Sequence, residues 1–352
     1  MKYTYIIFCV CLAYLFTACE PKFDLNAPYK DVTVVYGILN HQDSIHYIKI
    51  YKGFQSDKES GVYIDARNPD SIYYKPNELD VRLEEWRDNK RTSRPDIPLM
   101  ITRNFPRDPG LFYFEDERIL YFTKEPILKG MEYKIVIKNK ITGKIVKGFT
   151  PIVEDFSLIR PAQDYLMVGG KSFIRFQRAK YAVDYEVHVN FIYFEVDKNT
   201  KEVLKTDTIF KNASLRIGEF MGSVNDFFDK EIINTFYDDI AKSVKPNDNV
   251  VRYIGLPVDG NNGKCIEVEI WAAGESLMHY LLSNQPTASF VQVNTVYSNL
   301  EVEASNELAF GFLSSRVKTS RIFATNAASQ DSLVRGSKTG HLGFRPRMEY
   351  KP

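Results

Sequence analysis

Ser315-Arg316-Val317-Lys318 and Lys338-Thr339-Gly340 come nearest in this sequence to a nucleophile with its base. A lysine three residues after a serine activates it only when the serine opens a helix and both share one turn. Ser315 instead follows the β-patterned run Asn306–Ser314, so no acyl-transfer centre is expected. Gly170-Lys171-Ser172 has the end of a phosphate-binding loop, but Tyr165 stands where that loop needs its first glycine. Ser172–Phe176 alternates as a strand, and a hairpin turn is the expectation. His41, His46, His188, His279 and His341 show no two-histidine helical spacing, so no metal is expected. Asp259-Gly260-Asn261-Asn262-Gly263 carries oxygen ligands without the downstream bidentate Glu of a calcium loop, and reads as a polar turn. No cofactor follows from any of these groups. Trp86 and Trp271 are the two tryptophans. With Tyr63, Tyr73 and Tyr74 in the polar stretch 53–78, they are the side chains with which a binding surface could stack on sugar rings.

The cysteines carry a different chemistry. Lys2 precedes the apolar run Tyr5–Phe16, about a dozen residues, too short for the roughly 20 that a membrane-spanning helix needs. Phe16-Thr17-Ala18-Cys19 then places small residues before a cysteine, a pattern that resembles the lipobox. Residues 1–18 are read as an export signal and Cys19 as the acylated first residue of the mature chain. Residues 19–30 are read as a tether. Acyl chains contribute about 0.8 kcal/mol per buried methylene, so several hold a protein at a membrane. Cys9 and Cys11 leave with the signal, and Cys265 alone remains, unable to make an internal disulfide.

Removing residues 1–18 from the 352 leaves 334, a length that suits two domains. The signal takes Lys2 with it, so 45 basic side chains face 45 acidic ones. That balance gives no sign of an electrostatic nucleic-acid surface or a polybasic membrane patch, and no nucleic-acid partner is expected.

The hydropathy pattern positions these residues on strands. Asp31–Leu39 and Ser44–Tyr51 form a hairpin about the turn Asn40–Asp43. Strands are expected at Leu79–Trp86, Ile97–Thr102, Leu111–Phe114, Ile119–Thr123, Glu132–Lys138 and Lys144–Thr150. Leu128–Tyr133 resembles the corner of fibronectin type III domains, where a tyrosine hydroxyl caps the loop. After the junction Pro151–Asp155 the pattern restarts, with a long strand at Asp184–Val196 paired to Glu202–Phe210. Ser223–Lys242 has apolar residues at helical spacing and predicts the longest helix, with Phe228, Ile232 and Phe236 on its buried side. Leu277–Leu282 predicts a short helix. The tail from Ala324 is rich in Ala, Ser, Gly and Lys and is expected to be loose.

The expected fold is mainly β, with two fibronectin type III or immunoglobulin-like β-sandwich domains in series. Residues 31–152 form the first and 153–323 the second, with a helical insertion at 223–242 and a loose tail at 324–352. Three blocks resemble an uncharacterised family of Bacteroidota outer-membrane lipoproteins: Val34–Leu39 with His46–Ile50, Tyr185–Glu195, and Tyr297–Leu300 with Phe310–Arg316. The resemblance implies an outer-membrane location, and it carries no catalytic residues. The functional expectation is a non-enzymatic accessory subunit. It is held to the membrane through lipid on Cys19 and partners an outer-membrane β-barrel or a secretion, motility or uptake complex. The alternative is a glycan- or nutrient-binding lipoprotein.

Overall fold

A computed structural model describes residues 32–53, 69–103, 119–168, 172–216, 227–232, 235–258, 263–284, 297–303 and 308–351. Cys19, the segments expected as export signal and tether, Tyr63, the Leu111–Phe114 run, the expected turn at Gly169-Gly170 and residues 259–262 lie outside the described residues.

The protein is mainly β. An eleven-stranded sheet runs in the order 344–345, 250–254, 182–197, 264–274, 308–325, 32–39, 46–52, 120–123 and 100–102, with 165–166 and 203–216 attached at its sides. A six-stranded sheet orders 300–302, 145–151, 132–139, 79–87 and 90–91, with 97–98 also on 79–87. A three-stranded sheet joins 158–160, 172–177 and 227–232.

Alternation explains how the first two sheets meet. In the strand Leu79–Arg87, Leu79, Val81 and Leu83 are buried, as are Tyr133, Ile135 and Ile137 in Glu132–Asn139. Period-two patterning turns one face of each strand inward. These residues share a core with Val35, Ile48, Ile50 and Tyr121 from the opposing sheet. Ala309 and Leu313, more than 150 residues from Ile152, also lie in that core. They reach it because Val32–Leu39 pairs in parallel with the first part of the strand Leu308–Thr325, from Val32↔Leu308 to Leu39↔Ser315. The rest of that strand pairs antiparallel with Lys264–Gly274. One strand therefore serves both halves of the chain. The second core begins at Val153, the residue after Ile152, and gathers Tyr185, Val187, Phe191, Val268, Ile270 and Phe323.

Tyrosine hydroxyls tie loops to each half. Tyr133, fully buried, accepts from the Leu128 N–H at 3.0 Å and donates to Glu85 Oε2 at 2.9 Å. Tyr185 accepts from the Ala179 N–H at 2.7 Å. Burial pushes both hydroxyls up to about 12. Arg94 Nη1 reaches the same Glu85 oxygen at 2.9 Å. Burial raises the Glu85 carboxyl, but the bonds from Arg94, Tyr133 and Thr92 outweigh it and hold the group below its usual range.

Two expectations are corrected. The 223–242 helix is replaced, within the described residues, by a strand at Phe227–Ile232 and a short helix at Phe236–Ser243. The longer helices are Glu275–Ser283 and Ala327–Arg335. Phe227 is exposed and Phe228 buried, which is strand alternation, and Phe228 packs on Tyr185 and Phe176 with ring centroids 5.3 and 5.5 Å away. Pairing with Ser172–Gln177 supplies the backbone bonds a helix would otherwise make. Helical burial begins only at Phe236 and Ile240, one turn apart.

The tail is ordered rather than loose. Asn326 caps the helix Ala327–Arg335 by accepting from the Ser329 N–H at 2.9 Å. Leu333, Leu342 and Phe344 are buried in the second core, and Phe344–Arg345 pairs with Arg252–Tyr253. A composition that is mostly small and polar conceals three apolar anchors.

Candidate functional site

Among the described residues, the serine, lysine and cysteine side chains singled out in the sequence lie apart from one another. Ser315 and Lys318 sit three apart on a strand and so face opposite ways. Ser315 is fully buried, donates to Pro151 O at 2.6 Å and accepts from the Val153 N–H at 3.0 Å. Lys318 pairs with Glu269 at 3.2 Å, and Lys338 binds Asp238. Cys265 is fully buried, and burial pushes its thiol up to about 12, so it packs as a small apolar group. Among the described residues, no three His, Cys, Asp or Glu side chains gather as metal ligands.

His41 serves a structural contact. His41 Nε2 lies 2.8 Å from Asp155 Oδ1 and donates to it, since an ionised carboxylate only accepts. Gln42 Nε2 donates to the same oxygen at 3.2 Å and to Lys318 O at 2.9 Å, while Lys129 Nζ holds Asp155 Oδ2 at 3.1 Å. This latch fastens the turn after Val32–Leu39 to the Ile152/Val153 junction and to the shared strand. His46 is 2% exposed, and neither of its ring nitrogens has a partner among the described residues. Burial lowers its pKa, against the opposing field of Asp43. The unfolded chain takes up this proton near the ordinary value of 6.5, and the folded protein does so only at lower pH. Stability from this site is therefore complete above about pH 7 and is lost as pH falls through the folded pKa. His46→Leu is expected to flatten the fall in urea midpoint between about pH 7 and pH 5. Identical pH slopes in variant and parent would refute the assignment.

Tyr73 and Tyr74, expected in a solvent-facing stretch, are instead 8% and 3% exposed and belong to the first core. Tyr74 shares a hydrogen bond with Thr33 Oγ1 at 2.9 Å. The tryptophans do face outward. Trp271 lies on the outer face of the large sheet, with Arg316 Cζ 4.4 Å and Lys318 Nζ 5.3 Å from its ring centroid, and its Nε1 donates to Glu269.

Trp86 opens onto space. On the outer face of the six-stranded sheet, an open cleft of about 380 Å³ is lined by Trp86, Asn89, Lys134, Lys147, Phe149 and Glu301, together with Gly148 and Asn299. The strand pattern explains the lining. Residues alternating with the buried Leu83, Tyr133, Ile135, Val146 and Gly148 point outward, and these include Trp86, Lys134, Lys147 and Phe149. Lys134 is directly opposite Phe149, and Glu301 is opposite Lys147. Lys134 Nζ lies 4.0 Å over the Trp86 ring. Asp88 and Asn89 both have positive φ, making the tight turn that brings the Asn89 amide to the rim. Asn299 braces the far side, accepting from the Leu313 N–H at 3.0 Å and donating to Phe149 O at 3.1 Å. Sequence reasoning found Trp86, but not the cleft. Phe149 and Lys134 lie 63 and 48 residues from it, and only the sheet register joins them.

A second cleft of about 440 Å³ lies along Arg94–Pro98, Met100 and Thr123–Glu125. It holds no aromatic ring, and Arg94 there is committed to Glu85.

The fold and clefts define a mainly β protein with polar and aromatic outer sheet faces. No family model matches the chain, and no curated protein is significantly similar to it. Among solved structures, the C-terminal globular domain of an oligosaccharyltransferase from Pyrococcus abyssi is similar at 13% identity and a TM-score of 0.20. That likeness covers 61% of this chain and 40% of the other, and at that score it carries no argument.

Proposed function

We propose that this protein is a lipid-anchored, non-enzymatic binding subunit of the bacterial outer membrane, accessory to a β-barrel or to secretion, motility or uptake machinery. The observation that carries this reading is the N-terminal pattern of Lys2, the apolar run Tyr5–Phe16 and the small residues before Cys19. The latch at Asp155 and the strand Leu308–Thr325 support it, because they make both halves one platform. The finer fold reading is two fibronectin type III or immunoglobulin-like units, supported by the Tyr133 and Tyr185 hydroxyl caps. The anchor in this reading is Cys19, and the blocks that resemble Bacteroidota outer-membrane lipoproteins favour the same address.

Cys19→Ala tests the anchor. The variant is expected to lose palmitate labelling and to leave the membrane fraction. A variant that is processed normally and stays in the membrane would sink the proposal. A pull-down of the wild type from native membranes in mild detergent is expected to bring a large barrel or machinery component with it. A second reading, a glycan- or nutrient-binding lipoprotein, is favoured specifically by Trp86 and Phe149 in one cleft.

A further inference from the structure

We infer that the Trp86 cleft is a binding site for an extended, neutral oligosaccharide chain. The inference rests on the glycan-binding reading given above and names its site and ligand class.

Three features lead to it. The first is aromatic spacing. Trp86 and Phe149 project from the strands Leu79–Arg87 and Ile145–Pro151, which flank Glu132–Asn139. Two strand spacings across and a two-residue offset along the strands separate their backbones by about 12 Å, a little over the span of two pyranose rings. A pyranose has a face of C–H groups that packs on an aromatic ring, so two such platforms suit a chain of rings better than one compact metabolite.

The second is the polar complement. Sugar hydroxyls both donate and accept, and a matching site offers both kinds of partner. Lys134 and Lys147 supply donors, Glu301 supplies an acceptor, and Asn89 supplies both. Lys147 also pairs with Glu303 just outside the cleft. Two ammonium groups thus face two carboxylates, so the cleft has no excess charge to select a polyanion. Lys134, held over the Trp86 ring, keeps its ammonium beside the apolar wall, where a charge-assisted bond to a hydroxyl is stronger than in bulk water.

The third is rigidity. The cleft floor is strand backbone, and its walls are fixed by register and by the Asn299 bonds to Phe149 and Leu313. A preformed surface loses little entropy on binding. The cleft is also open, so a polymer longer than the site can cross it without a free end.

The test uses the full-length lipidated protein in detergent, in a Trp271→Phe background, so that Trp86 is the sole tryptophan reporter. Cellohexaose, mannohexaose, xylohexaose and chitohexaose are titrated against its fluorescence, with glucose and a hexagalacturonate as comparisons. At least one neutral hexamer is expected to give a saturable change at a Kd at least tenfold below that for glucose. Phe149→Ser and Lys134→Met are each expected to weaken that binding tenfold or more. In the tryptophan-containing parent, followed by calorimetry, Trp86→Ala removes binding and Trp86→Phe retains most of it. Near-UV circular dichroism checks that each variant is folded. Failure of all four neutral hexamers overturns the inference. So does binding only of the hexagalacturonate, or hexamer binding that survives both Trp86→Ala and Phe149→Ser. These outcomes are independent of the anchor. If Cys19→Ala stays membrane-bound, the envelope reading fails while the titration still stands or falls alone.

Discussion

Gly311→Ala is expected to lower the urea midpoint more than alanine at any turn glycine, with a loss on the order of 3–5 kcal/mol from clash and backbone strain together. Gly311 sits inside the shared strand Leu308–Thr325, at a φ of +99° that side chains rarely adopt. It lies opposite Val35 in the parallel pairing, and Ser298 bridges to it as well. A Cβ there would stand 2.0 Å from the Val35 carbonyl oxygen and 2.9 Å from its carbon. Those are backbone atoms, so no rotamer change relieves the overlap. Either the strand Val32–Leu39 moves away, or the Gly311 backbone leaves its conformation and breaks the pairing. Both outcomes loosen the link between the two cores. Gly143 is the control. Its φ is +78° and nothing lies within 4 Å of its Cβ position, so Gly143→Ala carries only the left-handed penalty, about 1–2 kcal/mol. Equal midpoints for the two variants would show that strand Val32–Leu39 does not press on Gly311.

Arg252→Met is expected to cost about 3–5 kcal/mol and to release the C-terminal segment. The Arg252 side chain is 3% exposed and spends every nitrogen. Its Nε donates to Glu195 Oε1 at 2.9 Å, Nη1 to Leu342 O at 2.5 Å and Nη2 to Lys245 O at 2.8 Å. Removing it strands the buried Glu195 carboxylate, with Lys205 at 3.7 Å as its remaining ion-pair partner. Two carbonyls also lose their donor, and one of them belongs to the tail. Limited proteolysis should then cut within residues 336–351, where the packing of Leu342 and Phe344 should protect the parent. Arg252→Met with Glu195→Leu removes the orphaned charge as well, and should recover a large part of the lost stability. A double variant no more stable than Arg252→Met would show that the unpaired carboxylate is not the source of the cost.

Much of the local structure was legible. Alternation located Glu132–Asn139 and Ala182–Asp197 to within a few residues, because the first half of each strand has one face in a core and the other outside. The Tyr133 hydroxyl cap was legible for the same kind of reason, since donor and acceptor lie five residues apart. The Phe227–Ile232 strand was not. Phe227, Phe228, Ile232 and Phe236 fit helical spacing in one dimension. What distinguishes the strand is the aromatic cluster of Phe176 and Tyr185, which lies far off in sequence and receives Phe228 from one direction only. Tyr73 and Tyr74 illustrate the same blindness. Their neighbours are polar, but the space they occupy belongs to the first core.

By itself, the sequence determined the strand-rich patterning, the near-balance of 46 basic against 45 acidic side chains, and the expectation that Cys19 is the acylated residue. These follow from residue type and local spacing, which need no folded partner. Only the tertiary structure decided that one strand, Leu308–Thr325, completes both halves, that the tail is pinned by Arg252, and that Trp86, Lys134 and Phe149 line one cleft. Each depends on which strands become neighbours and in what register. That choice is made by burial summed over the whole chain, and no local window of sequence contains it.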